Sequence, residues 1–212
     1  MNKILSFALL SFFLLISCSV QKNTLSEREA NVFDESQNAM IMNADQDRPM
    51  RVFKITNYSD SLLLRQTSFD VDPNSTDGAL DHFISRLYAT VRDSMSLGVG
   101  IAAPQVGILK NIIWVQRFDK EGFPFEVYLN PKILQYSDMK QTRMEGCLSI
   151  PDRRETLDCR AYAILIEYDK RDGTHVVEMV EDFTSIIFQH EIDHLNGIMY
   201  LDHLNSDIEK DR

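Results

Sequence analysis

The chain has 212 residues, 44% of them hydrophobic and 25% charged, which fits one ordinary folded domain with an extension and excludes a large multidomain assembly. Acidic residues outnumber basic ones 32 to 22, and a formal net charge of −10 disfavours broad electrostatic capture of nucleic acid, leaving a small molecule or peptide as the expected partner. Three cysteines, Cys18, Cys147 and Cys159, cannot build a disulfide framework, so each needs its own explanation.

The chain opens with Met1-Asn2-Lys3 and an apolar run from Ile4 to Ile16, broken only by Ser6 and Ser11. A spanning helix needs about 20 apolar residues, so residues 1–17 read as a secretory signal peptide. The run ends Leu15-Ile16-Ser17-Cys18, which resembles the lipobox of bacterial lipoproteins. That resemblance implies lipidation of Cys18 and a membrane anchor without a spanning helix. The implied location is extracytoplasmic, on the periplasmic or outer-membrane face, or cytoplasmic if the signal is not used. An ordinary signal peptide with an incidental cysteine, or an uncleaved anchor, is the competing reading.

Residues 18–49 turn polar and lack a sustained hydrophobic period, so a tether with one short helix around Leu25 to Val32 is expected. The globular domain should span residues 50–212, long enough to bury a core. Arg51 to Thr56 suit an edge strand. Leu80, Phe83, Ile84, Leu87, Val91 and Met95 recur at three- and four-residue steps, as on one face of a helix. Ile112 to Gln116, Phe125 to Leu129, Tyr162 to Tyr168 and Val176 to Val180 read as strands, the last two joined at Asp172-Gly173. A second helix is expected over Phe183 to Leu195, with Asp182 as N-cap and Asn196-Gly197 as its stop. Strands followed by a late buried helix predict an α+β fold.

Three constellations carry chemistry. In His190-Glu191-Ile192-Asp193-His194 the histidines stand at i and i+4, so one helix face can offer both to a metal ion, with Glu191 beside it as a general base. A solvated helix face is the plain alternative, but Phe183, Ile186 and Ile187 share that side and predict its burial. In Glu145-Gly146-Cys147-Leu148-Ser149-Ile150-Pro151 the cysteine alone would be an inert core residue. Beside two histidines it supplies a third ligand and leaves a fourth position open. Gly98-Val99-Gly100-Ile101-Ala102-Ala103-Pro104-Gln105 lacks the lysine of a phosphate loop but permits close backbone approach to a ligand, and Gln105 can donate to an oxyanion.

In this order and spacing the segments closely resemble the peptide deformylase family, whose Gly-x-Gly-x-Ala-Ala-x-Gln, Glu-Gly-Cys-Leu-Ser and Gln-His-Glu-x-Asp-His motifs match Gly98 to Gln105, Glu145 to Ser149 and Gln189 to His194. Asp60 to Arg65, Leu129-Asn130-Pro131 and Leu201-Asp202 extend the likeness over nearly all of the globular part. The resemblance implies antiparallel sheets around a central metal-binding helix and removal of the formyl group from N-formyl-methionyl peptides. It implies one divalent ion per chain, Fe2+ or Zn2+ with Ni2+ or Co2+ as substitutes, held by Cys147, His190 and His194. It assigns general base and acid work to Glu191 and oxyanion contacts to Gln105 and the Leu148 N–H. Val99, Phe183, Ile186 and Ile187 match positions lining the methionine pocket, Gly100 one pairing with the extended peptide, and Arg154 one near the peptide's far end. Glu145 and Arg160 are expected to pair near the site, and Asp193 to orient a ligand or anchor the helix. His82, His175, His203 and Cys159 are expected to be surface or packing residues, and the enzyme a monomer.

Two rival readings differ in class. A zinc metalloprotease of the longer His-Glu-x-x-His type would need a histidine where this chain has Tyr200. A catalytically silent formyl-peptide-binding protein would be expected to lack Glu191 or a ligand, and all are present. The departure from the family is location: its members ordinarily act on chains emerging from the ribosome, whereas the leader would carry this domain across a membrane.

Overall fold

A computed structural model describes residues 32–204 apart from residue 95. The expected signal peptide, Cys18, all but the last residue of the expected Leu25 to Val32 helix, Met95 and the last eight residues lie outside the described part.

Residues 33–49, expected to be tether, are built into the domain. Helix α1 (Glu35–Ile41) starts in a reciprocal cap, with Asp34 accepting from Gln37 N–H at 2.8 Å and Gln37 Oε1 accepting from Asp34 N–H at 3.2 Å. Phe33 and Ile41 bury fully in the main core, Phe33 edge-on to Phe83 at 5.5 Å. Composition averages away these two apolar anchors in an otherwise polar segment, which is why the sequence pattern reads as tether.

Helix α2 (Tyr58–Leu64), capped by Asn57, was not expected. Helix α3 (Gly78–Arg92) buries the predicted face through Leu80, Phe83, Ile84, Leu87 and Val91. Five strands then make one antiparallel sheet: β1 (Gly100–Ala102), β2 (Ile112–Gln116), β3 (Phe125–Tyr136), β6 (Ala163–Asp169) and β7 (His175–Glu181), in that spatial order. Strands β4 (Lys140–Cys147) and β5 (Ile150–Ala161) form a separate hairpin that the sequence reading did not foresee.

Helix α4 (Asp182–Leu195) is buried almost end to end against these sheets, which makes the fold α+β with antiparallel sheets around a central helix. Phe188 anchors it through an edge-on contact with Tyr128 at 4.7 Å. The cap differs from expectation: Glu181 is the N-cap and Asp182 is the first helical residue, with a left-handed φ of 53°. The stop at Asn196 holds, and Gly197 has a φ of 72°, where a Cβ would run into Arg65 O. The segment Arg51 to Thr56 is not an edge strand. It turns at Ile55-Thr56, and its backbone bonds to a 3₁₀ helix and the hairpin turn, Phe53 N–H to Gln105 O at 2.7 Å and Ile55 N–H to Ser149 O at 3.0 Å.

Candidate active site

Helix α4 presents His190 and His194 on one face, with their rings 5.0 Å apart. The β4–β5 hairpin delivers Cys147 to the same point, because Cys147 pairs with Ile150 and leaves Leu148-Ser149 as a two-residue turn. Cys147 Sγ and His194 Nε2 stand 3.1 Å apart, and one ligand atom from each of the three side chains falls within 4.8 Å of the others. His190 Nδ1 is tied to Glu145 Oε2 at 2.8 Å, which leaves Nε2 as the free donor atom. Burial would raise the Cys147 thiol, but the neighbouring His194 and His190 overturn this and hold it well below its ordinary value. A sulfur whose neighbours favour the thiolate, converging with two imidazole nitrogens, is the donor chemistry a divalent ion needs, so the residues fit a metal.

Glu191 lies on the adjacent flank of the helix. Burial pushes its carboxyl up to about 7, against the pull of His190 and His194. Among the described residues its Oε2 is buried without a hydrogen-bond partner, as is His194 Nδ1. A buried polar atom of this kind takes its hydrogen bond from a water or a ligand. Gly100 makes room for it, since a Cβ there would collide with Glu191 Oε1 and come within 2.8 Å of Ile187 Cγ2.

Gln105 comes from the short 3₁₀ turn Ala103–Val106 and is 2% exposed. Its Oε1 accepts from Ala102 N–H at 2.9 Å, which turns its amide nitrogen toward Cys147 Sγ at 3.5 Å and Ser149 Oγ at 3.3 Å. The donor is thus fixed before any ligand arrives. Leu148 heads the hairpin turn directly after Cys147.

Cys147, His190, Glu191, Gln105 and Leu148 line one cleft of about 790 Å³, which every expected substrate residue also lines: Val99, Gly100, Arg154, Phe183, Ile186 and Ile187. Strand β1 is the outer strand of its sheet, so its free side can pair with an extended chain. Arg154 lies across Gly146, where a Cβ would meet its Cγ at 3.2 Å. The sequence reading missed Lys54, Leu97, Met144 and Arg153 on the same walls.

Residues 52–210 match the family model for polypeptide deformylase. A peptide deformylase of Desulforudis audaxviator is 40% identical over 161 residues, covering 72% of this chain and 94% of the relative. Peptide deformylase 2 of Vibrio cholerae is 35% identical over 156 residues, covering 74% and 88%. Among solved structures, the Met-Ala-Ser-bound deformylase of Acinetobacter baumannii aligns with a TM-score of 0.64 at 31% identity, covering 73% of this chain and 98% of that one. The Thermotoga maritima deformylase aligns with a TM-score of 0.64 at 30% identity, covering 74% and 97%. The chain belongs to the peptide deformylase family. It is a metal-dependent hydrolase, and its reaction is removal of the formyl group from N-formyl-methionyl peptides.

In this deformylase a buried ionic chain backs the first histidine. Arg160 clamps Glu145 through Nε at 2.8 Å and Nη2 at 3.0 Å, and passes Nη1 to Asp193 Oδ2 at 2.7 Å. Burial alone would raise Glu145, but the hydrogen bonds from His190 and Arg160 hold it at about 2, so it stays an anion able to orient His190. Asp193 also takes His203 Nε2 at 2.7 Å, which puts His203 in the network rather than in plain packing. His82 bonds Ala44 O at 2.9 Å, and His175 pairs with Asp169 at 2.8 Å far along the sheet. Tyr200, where a protease of the longer motif would carry its third histidine, is fully buried, stacks on His190 at 5.9 Å and donates to Arg153 O at 3.0 Å.

Proposed function

We infer that this deformylase uses a single divalent ion, Fe2+ or Zn2+ with Ni2+ or Co2+ as working substitutes, held by Cys147, His190 and His194. The observation that carries the reading is the convergence of three ligand atoms beside a buried carboxylate whose Oε2 has no hydrogen-bond partner among the described residues. When bound, such an ion supplies a Lewis acid and makes a water acidic enough to lose a proton near neutral pH. Glu191, pushed up to about 7, takes that proton as the formyl carbon is attacked and returns it to the departing nitrogen. Gln105 and the Leu148 N–H meet the oxygen that gains charge. Phe183, Ile186 and Ile187 take the methionine side chain, Val99 and Gly100 align the peptide, and Arg154 meets its far end. Dialysis against a chelator is expected to abolish formate release, with Fe2+, Zn2+, Ni2+ or Co2+ restoring it at one ion per chain; full activity without bound metal contradicts the assignment.

The leader and the lipobox-like Cys18 support an exported, lipid-anchored monomer that meets N-formyl-methionyl peptides outside the cytoplasm, such as cleaved signal fragments. Between Cys18 and Phe33 the chain can reach about 50 Å when extended, at roughly 3.3–3.6 Å per residue. Mass analysis should find acyl chains on Cys18 and fractionation should place the enzyme with membranes. An unlipidated enzyme in the cytosolic fraction overturns this location.

A further inference from the structure

The segment before α2 is fastened to Gln105 and to the hairpin turn that follows Cys147. Phe53 N–H donates to Gln105 O at 2.7 Å, Ile55 N–H to Ser149 O at 3.0 Å, and Lys54 Nζ to Leu148 O at 3.0 Å. Lys54 is itself fixed, because its N–H donates to Asp60 Oδ2 at 3.0 Å, on a carboxylate that Arg51 grips at 2.7 and 2.9 Å. Among the described residues no carboxylate lies in ion-pair range of the Lys54 ammonium, so its charge is spent on the Leu148 carbonyl.

The other end of that same peptide unit faces the sulfur: Ser149 N–H donates to Cys147 Sγ at 3.4 Å. One amide therefore links an ammonium to a ligand atom. A carbonyl that accepts from a charged donor leaves its amide N–H more positive, and hydrogen bonds in series strengthen one another. The N–H bond to sulfur is thereby strengthened and electron density is drawn off the sulfur. The turn that carries the Leu148 N–H is held in place at the same time.

We propose that Lys54 is a positioning residue for deformylation, acting through the Leu148–Ser149 peptide to fix the hairpin turn and to tune the Cys147 sulfur. The inference rests on Cys147 being a metal ligand and the Leu148 N–H an oxyanion donor. Lys54 also lines the cleft, so a simple peptide contact is the competing role.

The test uses the full chain loaded with Co2+, whose sulfur-to-cobalt charge-transfer absorption reports the sulfur directly. Wild type must show that band and release formate from formyl-Met-Ala-Ser; failure there counts against the metal site itself, not against Lys54. Lys54→Met, checked for an unchanged melting temperature, should move the band to lower energy and lower kcat about tenfold, the lower end for groups that support metal ligands. KM should stay within about twofold, since the interaction is not with bound substrate. Lys54→Arg, which keeps a cationic donor, should restore most of kcat and the band position. A rise in KM alone, or an unmoved band with unchanged kcat, overturns the proposal.

Discussion

Gly100 shows how one residue can serve two groups at once. Its lack of a side chain suggests close approach to a ligand, and the structure adds that a Cβ would strike Glu191 Oε1 and crowd Ile187. Gly100→Ala should therefore displace the general base. Activity is expected to fall on the order of 100-fold, as for an ångström-scale misplacement of a catalytic group. Overpacking adds a stability cost of about 1–3 kcal/mol. Formate assays and denaturant melts on the same preparation check both, and an undiminished kcat/KM contradicts the account. Gln105→Ala removes a donor already anchored on Ala102, so kcat should fall about 10²–10³-fold. The ligands and Glu191 were legible because helical spacing alone puts His190 and His194 on one face. Lys54 and His203 were not, because their contacts, 94 positions away to Leu148 and 10 to Asp193, exist only once the chain has folded.

Elements show the same division. Helix α3 and strands β2, β6 and β7 have apolar periods that the residues display openly; the strands fall within a residue of expectation, whereas α3 ends at Arg92, three residues before Met95, the last position of the expected face. The β4–β5 hairpin stayed hidden because seven of the eight β4 positions face solvent wholly or in part, so no apolar alternation marks it. The collar of residues 33–49 stayed hidden for a different reason, since its hold on the core depends on Arg86 of α3. That side chain, 3% exposed, donates to Met40 O, Ile41 O, Arg48 O, Pro49 O and Asn43 Oδ1, and so satisfies the end of α1 and the chain beyond it. Arg86→Met leaves the buried Ile41 carbonyl and four part-buried acceptors without their donor, so a loss of about 1–3 kcal/mol, the cost of one buried unsatisfied acceptor, is expected in urea unfolding. An unchanged midpoint would show that the collar is not held this way.

At the scale of the molecule, the buried carboxylate of Asp60, gripped by Arg51, makes stability respond to pH. The hydrogen bond from Arg51 holds the Asp60 carboxyl below the usual range, outweighing the upward push of burial. Folded Asp60 thus releases its proton at lower pH than unfolded Asp60, so the stabilisation is fully present above the ordinary Asp value near 3.9 and is lost as pH falls through the folded value. Asp60→Asn should cost about 1–3 kcal/mol at pH 7, with the gap to wild type closing below about pH 4. A gap that stays constant in melts down to pH 3 contradicts that sign. Deformylation by this chain requires Glu191 to work beside a metal held by Cys147, His190 and His194. The direct measurement is formate release from formyl-Met-Ala-Ser by the full chain, prepared without oxygen and loaded with one ion per chain, beside Glu191→Ala carrying the same metal. Robust release by wild type that vanishes in the loaded variant is the predicted result. No release from loaded wild type, or equal release from both, contradicts it.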